Sequence, residues 1–326
     1  MVGSLWKGAD VNVIETHGLT KRYRRKLAVD NLDMTVAAGD IYGFVGKNGS
    51  GKSTTMKMVC GLARPTAGEV VLFGDSENGG ATPQGFSRIG ALIENPGVLA
   101  SLTARDNLVA KALALGMTHA GQVASDLLEL VGLDPLDHRR VKAYSLGMKQ
   151  RLGLALALVG SPDLLLLDEP FNGLDPEATR AMRLALVRLN HEHGVTIMIS
   201  SHVLDQLDRV ATRFGVISDG RLTAEFTDEE LHERCGSSVR LRLAEPERGL
   251  ALLEQALPQA TFRAEPDGAI VVTGAALDEV SSACFSSGVE VRELAQQERD
   301  IEEYFVELMG VQKGQAPSHA EDGEAR

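Results

Sequence analysis

The stretch GKNGSGKST, residues 46–54, constrains this chain more than any other. It comes after the apolar run DIYGFVG and precedes STTMKMVCGL, so it lies where a buried strand gives way to a helix. Its spacing is GxxxxGK with Ser or Thr next, the pattern of a loop that wraps phosphates. Glycines at 46, 49 and 51 let successive backbone N–H groups turn inward on phosphate oxygens, and the next helix adds its positive end. The predicted nucleotide contacts are therefore Gly46, Lys47, Asn48, Gly49, Ser50, Gly51, Lys52, Ser53 and Thr54. Lys52 is expected to reach the β- and γ-phosphates, where it serves catalysis as well as binding, and Ser53 to hold Mg²⁺. The competing reading is a glycine-rich turn with a chance lysine, and the complete pattern between strand and helix argues against it.

LLLLDEP, residues 164–170, supplies the second half of such a site. It is an apolar run ending in two carboxylates, as expected for a buried parallel strand whose C-terminal end faces a ligand. Asp168 is placed to hold Mg²⁺ through water, and Glu169 to polarise a water attacking the γ-phosphate. DEP alone reads equally well as an acidic turn capping a helix; behind an apolar strand and downstream of a phosphate loop the catalytic reading is preferred. TIMISSH, residues 196–202, repeats the strand design, and helical sequence such as PEATRAMRLALVRLNHEHG lies between. The first 224 residues thus predict an α/β domain with a mainly parallel sheet.

After about residue 225 the character changes. SVRLRLAE and AIVVTG read as strands, and ERGLALLEQAL, LDEVSSACFSSG and RDIEEYFVELMG as helices, which predicts a small separate α/β domain over residues 226–310. Residues 311–326 are expected to form a disordered acidic tail. The net charge of −12 is carried almost wholly by residues 225–326, which hold 22 acidic and 9 basic side chains, so the near-neutral first part is free to hold an anion. That balance argues against a nucleic-acid partner. Cys60, Cys235 and Cys284 have neither disulfide nor metal spacing. No segment approaches the roughly 20 apolar residues needed to cross a bilayer, and no signal peptide precedes the first strand, so a cytoplasmic chain is expected.

The phosphate loop, YSLGMKQR at 144–151, LLLLDEP, NGLDP at 172–176 and SSH at 200–202, in that order, resemble the ATP-binding cassette (ABC) ATPases over about residues 11–225. The resemblance implies a P-loop NTPase cassette with a mainly parallel core sheet, an antiparallel β subdomain and a helical subdomain over about residues 95–160. It implies ATP and Mg²⁺ as cofactors. It further implies that Ser145 and Gly147 form the signature motif, a helix tip aimed at the γ-phosphate held by a second subunit, so that two cassettes close head to tail and a homodimer is expected. Leu146 and Met148 depart from the usual glycine and glutamine of that motif.

The remaining roles come from the same resemblance. Asp175 matches the residue that crosses the dimer interface, and a helix-capping role is compatible with it. His202 matches the switch histidine that contacts the γ-phosphate, where a lone histidine would read as structural. Tyr23, in TKRYRRK, matches the aromatic that stacks on adenine, against the plain reading of a solvated charge run or a nucleic-acid patch. Glu94, in GALIENPG, stands where these cassettes place a metal- and water-sensing glutamine. An ionised carboxylate can bind the metal and cannot donate a hydrogen bond. The alternative is an exposed, tolerated substitution.

Glutamate at this joint, with NPGVLASLTARDNL, resembles the cassettes of bacitracin- and lantibiotic-resistance exporters. The implied function is the ATP-hydrolysing subunit of a drug or antimicrobial-peptide exporter. It would sit peripherally on the inner face of the cell membrane and drive an integral membrane permease supplied by another chain. A soluble ABC ATPase and an importer's ATPase are the alternatives. The final helix, DIEEYFVELMG, resembles exporter extensions that aid subunit association, and equally fits a docked amphipathic helix.

Overall fold

Three strands of this chain are buried along their whole length: β3 (Ile41–Val45), β6 (Leu164–Asp168) and β7 (Thr196–Ser201). Continuous burial is what parallel strands covered on both faces require, and it explains why their sequences are apolar runs rather than alternations. The computed structural model describes residues 11–74, 82–235, 237–265, 267–298 and 301–310, so the tail expected over 311–326 lies outside the described residues. Two compact units emerge among the described residues: one holds those up to Asp228 together with Leu308–Gly310, the other those within Glu229–Glu307.

In the first unit a six-stranded sheet runs β5 (Ile89–Leu92), β6, β7, β3, β8 (Arg213–Ser218), β9 (Arg221–Thr227). All neighbours are parallel except β8 and β9, which form an antiparallel pair at one edge. The register sets the chemistry: Asp168 lies opposite Ser200, and Val45 opposite Ser201. The C-terminal ends of β6, β7 and β3 therefore finish level, and the three segments that leave them are neighbours. A separate antiparallel sheet, β2 (Lys26–Ala37), β1 (Asn12–Tyr23) and β4 (Ala67–Leu72), shares a core with this layer through Ile14, Leu19, Leu32, Phe44, Met56 and Leu72.

Helices α1 (Lys52–Val59), α2 (Pro83–Ser87), α6 (Pro176–His193) and α7 (Asp205–Asp208) connect these strands, while α3 (Ala104–Ala114), α4 (Ala120–Leu130) and α5 (Leu146–Leu158) pack on one another. Helix ends agree with the sequence. Thr103 accepts from the Asp106 N–H to cap α3, and Asp175 accepts from the Ala178 N–H at 2.7 Å to cap α6, with Pro176 in the first turn. The Lys111 ammonium donates to the Leu156 carbonyl at 2.7 Å, satisfying one of the last carbonyls of α5.

The second unit runs strand, helix, strand, strand, helix, strand: β10 (Ser237–Leu243), α9 (Pro246–Ala256), β11 (Thr261–Ala264), β12 (Ile270–Thr273), α10 (Leu277–Ser286), β13 (Val291–Glu298). Helix α8 (Asp228–Cys235) precedes β10 and α11 (Ile301–Leu308) follows β13. The sheet order β11, β12, β10, β13, antiparallel throughout, is the split βαβ arrangement of ferredoxin-like domains. Val239, Leu241, Leu243, Ile270 and Val272 share one core with Leu253, Val280 and Cys284. Arg240 and Arg242, alternating with them along β10, ion-pair instead with Asp267 and Glu293. The sequence pattern reveals β10, β12, α9, α10 and α11 but not α8, β11 or β13. β11 is four mainly exposed residues, and β13 contributes only Val291 and Leu294 to the core. Among the described residues, Cys60, Cys235 and Cys284 form no disulfide.

Candidate functional site

The phosphate loop leaves β3 and enters α1 within six residues, and its glycines are dictated by space. A Cβ on Gly46 would come 2.4 Å from the Ile217 carbonyl oxygen, and one on Gly51 2.6 Å from that of Ala28. Gly51 also holds φ +115°, which side-chain-bearing residues avoid. Within this cradle Lys52 is 5% exposed, and its ammonium donates to the loop's own carbonyls, Gly46 at 2.6 Å and Lys47 at 3.1 Å. The Ser50 hydroxyl is buried without a hydrogen-bond partner. Lys47, Asn48 and Gly49 are exposed at the rim, while Ser53 and Thr54 are half-buried in the first turn of α1. A backbone cradle, a buried ammonium and an orphaned hydroxyl are chemically suited to a polyphosphate with its divalent cation.

Next to the loop, β6 delivers two carboxylates with different surroundings. Asp168 is 5% exposed and its Oδ1 accepts from the Ser200 hydroxyl at 2.5 Å. The same Ser200 oxygen accepts the Glu169 N–H at 3.0 Å, so one buried hydroxyl ties both acidic residues to β7. Glu169 holds φ +50°, an unfavourable left-handed conformation for a residue with a side chain. Its Oε1 lies 3.4 Å from the Lys52 ammonium, and its Oε2 is 2.8 Å from Nδ1 of His202. Lys52, Asp168, Glu169 and His202, all singled out from the sequence, thus converge. Ser200 has no signal of its own beyond its place in SSH, because nothing in a strand's sequence distinguishes a bridging serine from a packed one.

The other expected residues lie apart from this cluster. Tyr23 ends β1, is 46% exposed, and has the Lys21 ammonium 5.0 Å from its ring centroid. Glu94 lies just past β5 with φ +63°, and its exposed carboxylate pairs with the ammonium of Lys57 on α1. That hydrogen bond raises Lys57 above the ordinary lysine value; burial opposes it, and attraction to Glu94, Tyr23 and Asp168 adds to it. Lys57 carries no signal in the sequence, where it is one more lysine on a helix.

Ser145 caps α5, its exposed hydroxyl accepting from the Met148 N–H at 3.2 Å. Gly147 sits against the first turn of α6, where a Cβ would come 3.2 Å from that of Ala178. At the first departure, Leu146, the side chain is largely outside the fold. It reaches over Gly173, where a Cβ would collide with it at 2.7 Å, and is 51% exposed. Behind the tip, Tyr144 donates to Asp137 at 3.1 Å, and Asp137 is gripped by the Arg139 guanidinium. Asp175 is exposed at the tip of α6, so the tips of α5 and α6 present Ser145 and Asp175 outward together.

A family model described as ABC transporter matches residues 29–172. The chain is 37% identical over 302 residues to the bacitracin transport ATP-binding protein BcrA of Bacillus licheniformis, covering 91% of this chain and 97% of that one. It is 41% identical over 234 residues to the daunorubicin/doxorubicin resistance ATP-binding protein DrrA of Streptomyces peucetius, covering 71% of this chain and 70% of that one. A solved structure described as the ATP binding subunit of an ABC transporter matches with a TM-score of 0.60 at 27% identity, over 69% of this chain and 93% of that one. Among the described residues no helix is long and apolar enough to cross a membrane.

Proposed function

The chain belongs to the ABC transporter family as an ATP-binding, ATP-hydrolysing cassette, and from that premise we propose that it powers drug or antimicrobial-peptide export through a permease carried on a separate chain. What supports the cargo class is the 37% identity to a bacitracin transport subunit along nearly its whole length, joined by a doxorubicin resistance subunit at 41%. The cassette occupies about residues 11–225, and the domain of about residues 226–310 is accessory to it. The protein works peripherally on the inner face of the membrane. Nucleic acid is not a partner: the net charge is −12, and Arg240 and Arg242 are already neutralised by acidic neighbours.

The observation that carries the ATPase reading is the convergence of Lys52, Asp168, Glu169 and His202 beside the phosphate cradle. The loop from Gly46 to Thr54 binds the phosphates through its amides, and Lys52 exchanges its carbonyl partners for β- and γ-phosphate oxygens. Ser53 and Asp168 would hold Mg²⁺, which would offset the charge of the phosphates; Glu94, the further ligand expected from the sequence, has its carboxylate on Lys57 instead. Glu169 takes the proton of the attacking water, and His202 fixes the carboxylate's direction. Tyr23 offers its exposed face to adenine.

Ser145 and Gly147 complete the site of a second copy, with Asp175 crossing between the two. The exposed Ser145 hydroxyl and the α5 helix end are suited to a γ-phosphate arriving from outside the subunit. Co-purification of this chain with a membrane permease, and then a screen for peptides and drugs that stimulate its ATP hydrolysis, tests the proposal. Stimulation by a membrane-active peptide or drug is expected. Dependence on an external substrate-binding protein, or tight association with ribosomes in place of a membrane protein, would overturn it.

A further inference from the structure

A carboxylate at position 94 poses an electrostatic problem. The cradle is built to collect an anion, yet the joint beside it carries Glu94, whose exposed acid repels what the loop attracts. The position is not incidental: Glu94 is held at φ +63°, a conformation that a residue with a side chain adopts only when its surroundings impose it. Its partner, Lys57, lies four residues beyond Ser53 on α1, hence on the same helical face. That spacing sets Lys57 about 6 Å along the helix axis from Ser53, whose hydroxyl is the expected metal ligand. This is inside the screening length of about 8 Å at physiological salt, so phosphates in the cradle would sense an unpaired charge there.

We propose that Lys57 is a positioning residue for nucleotide binding, which neutralises Glu94 and holds its carboxylate against the flank of α1 so that an acid can occupy the joint without weakening the nucleotide site. The inference rests on the nucleotide-binding reading above and deepens it. Lys57 lies outside the GxxxxGK pattern and the site's other motifs, and its pairing with Glu94 is a tertiary contact between the phosphate-loop helix and the segment leading to the helices α3, α4 and α5.

The test is ATP affinity of the intact chain by isothermal titration calorimetry in EDTA, where no metal can recruit Glu94. It compares wild type, Lys57→Met, Glu94→Gln and the double variant. Lys57→Met is expected to bind about threefold more weakly and Glu94→Gln about threefold more tightly, as befits single partly screened charges. The double variant is expected to return to the wild-type value, and the differences to shrink in high salt. The swapped pair, Lys57→Glu with Glu94→Lys, guards against a folding defect and is expected to bind like wild type. A double variant as weak as Lys57→Met, with Glu94→Gln inert, would show that Lys57 meets the nucleotide directly and would overturn the proposal, as would unchanged affinity in every variant. Failure of the wild-type chain to bind ATP would instead strike the nucleotide-site reading itself.

Discussion

Glu169 Oε2 and His202 Nδ1 stand 2.8 Å apart, and the other oxygen of the same carboxylate faces the Lys52 ammonium at 3.4 Å. A carboxylate held from both sides has little rotational freedom, which is the condition for a base that must meet one water in one direction. Glu169→Gln keeps the shape and removes the basicity. ATP turnover is expected to fall by about 10²–10⁴, the usual contribution of general base catalysis, with ATP affinity intact and a nucleotide-locked dimer on gel filtration. Undiminished hydrolysis would remove Glu169 from the role.

Ser200 joins Asp168 and Glu169 through a single buried oxygen. Ser200→Ala leaves the Asp168 oxygen without its donor, an effect of about 1–3 kcal/mol on stability for a buried polar group. Because the hydroxyl orients the acid expected to serve the metal, affinity for Mg²⁺-bound ATP is expected to drop about 10–100-fold. Binding of ATP in EDTA should change little. Equal losses with and without Mg²⁺ would mean that Ser200 supports the strand rather than the metal site.

The exposed tip at Ser145 has a different dependence, because its proposed target lies on another molecule. Ser145→Arg is expected to abolish hydrolysis while leaving ATP binding to the isolated chain intact. Mixing it with a Lys52→Ala chain should restore partial turnover, since the mixed dimer contains one site with a sound loop and a sound tip. Absence of any recovery from mixing would count against completion of the site across subunits.

Behind that tip, Arg139 holds the Asp137 carboxyl down to about 2, and burial, then the Asp137 hydrogen bond, pushes the Tyr144 phenol up to about 12. The two shifts have opposite signs. Asp137, depressed below its reference of 3.8, stabilises the fold above that pH and loses its contribution as pH falls towards 2. Tyr144, raised above 10.0, contributes below that pH and loses its effect as pH climbs through about 12. Asp137→Asn is expected to lower the Tyr144 phenol only part of the way to its reference, since burial remains. A site-resolved NMR titration of the Tyr144 ring reads this directly, and an unmoved phenol would show that burial alone sets it.

The parts of the site that are legible in the sequence are those where a buried strand ends in chemistry. β3, β6 and β7 are continuous apolar runs, and they lead respectively into a glycine-lysine loop, a pair of acids and a serine-histidine step. The hidden parts depend on register and on neighbours remote in sequence. Ser200 meets Asp168 through strand register, Lys57 meets Glu94 across 37 residues, and Leu146 lies over a glycine at 173. The second unit is half legible for a related reason. Leu241 alternates clearly with Arg240 and Arg242, and β12 is a short apolar run, but β11 and β13 draw their pairing from β12 and β10 rather than from an apolar pattern of their own.

The left-handed backbone at Glu169 carries a cost that the chemistry conceals. Glycine there would relieve a backbone cost of about 1 kcal/mol, but it would also remove the carboxylate proposed as the base and its contacts with Lys52 and His202. Backbone ease and the proposed chemistry therefore pull in opposite directions at this one residue.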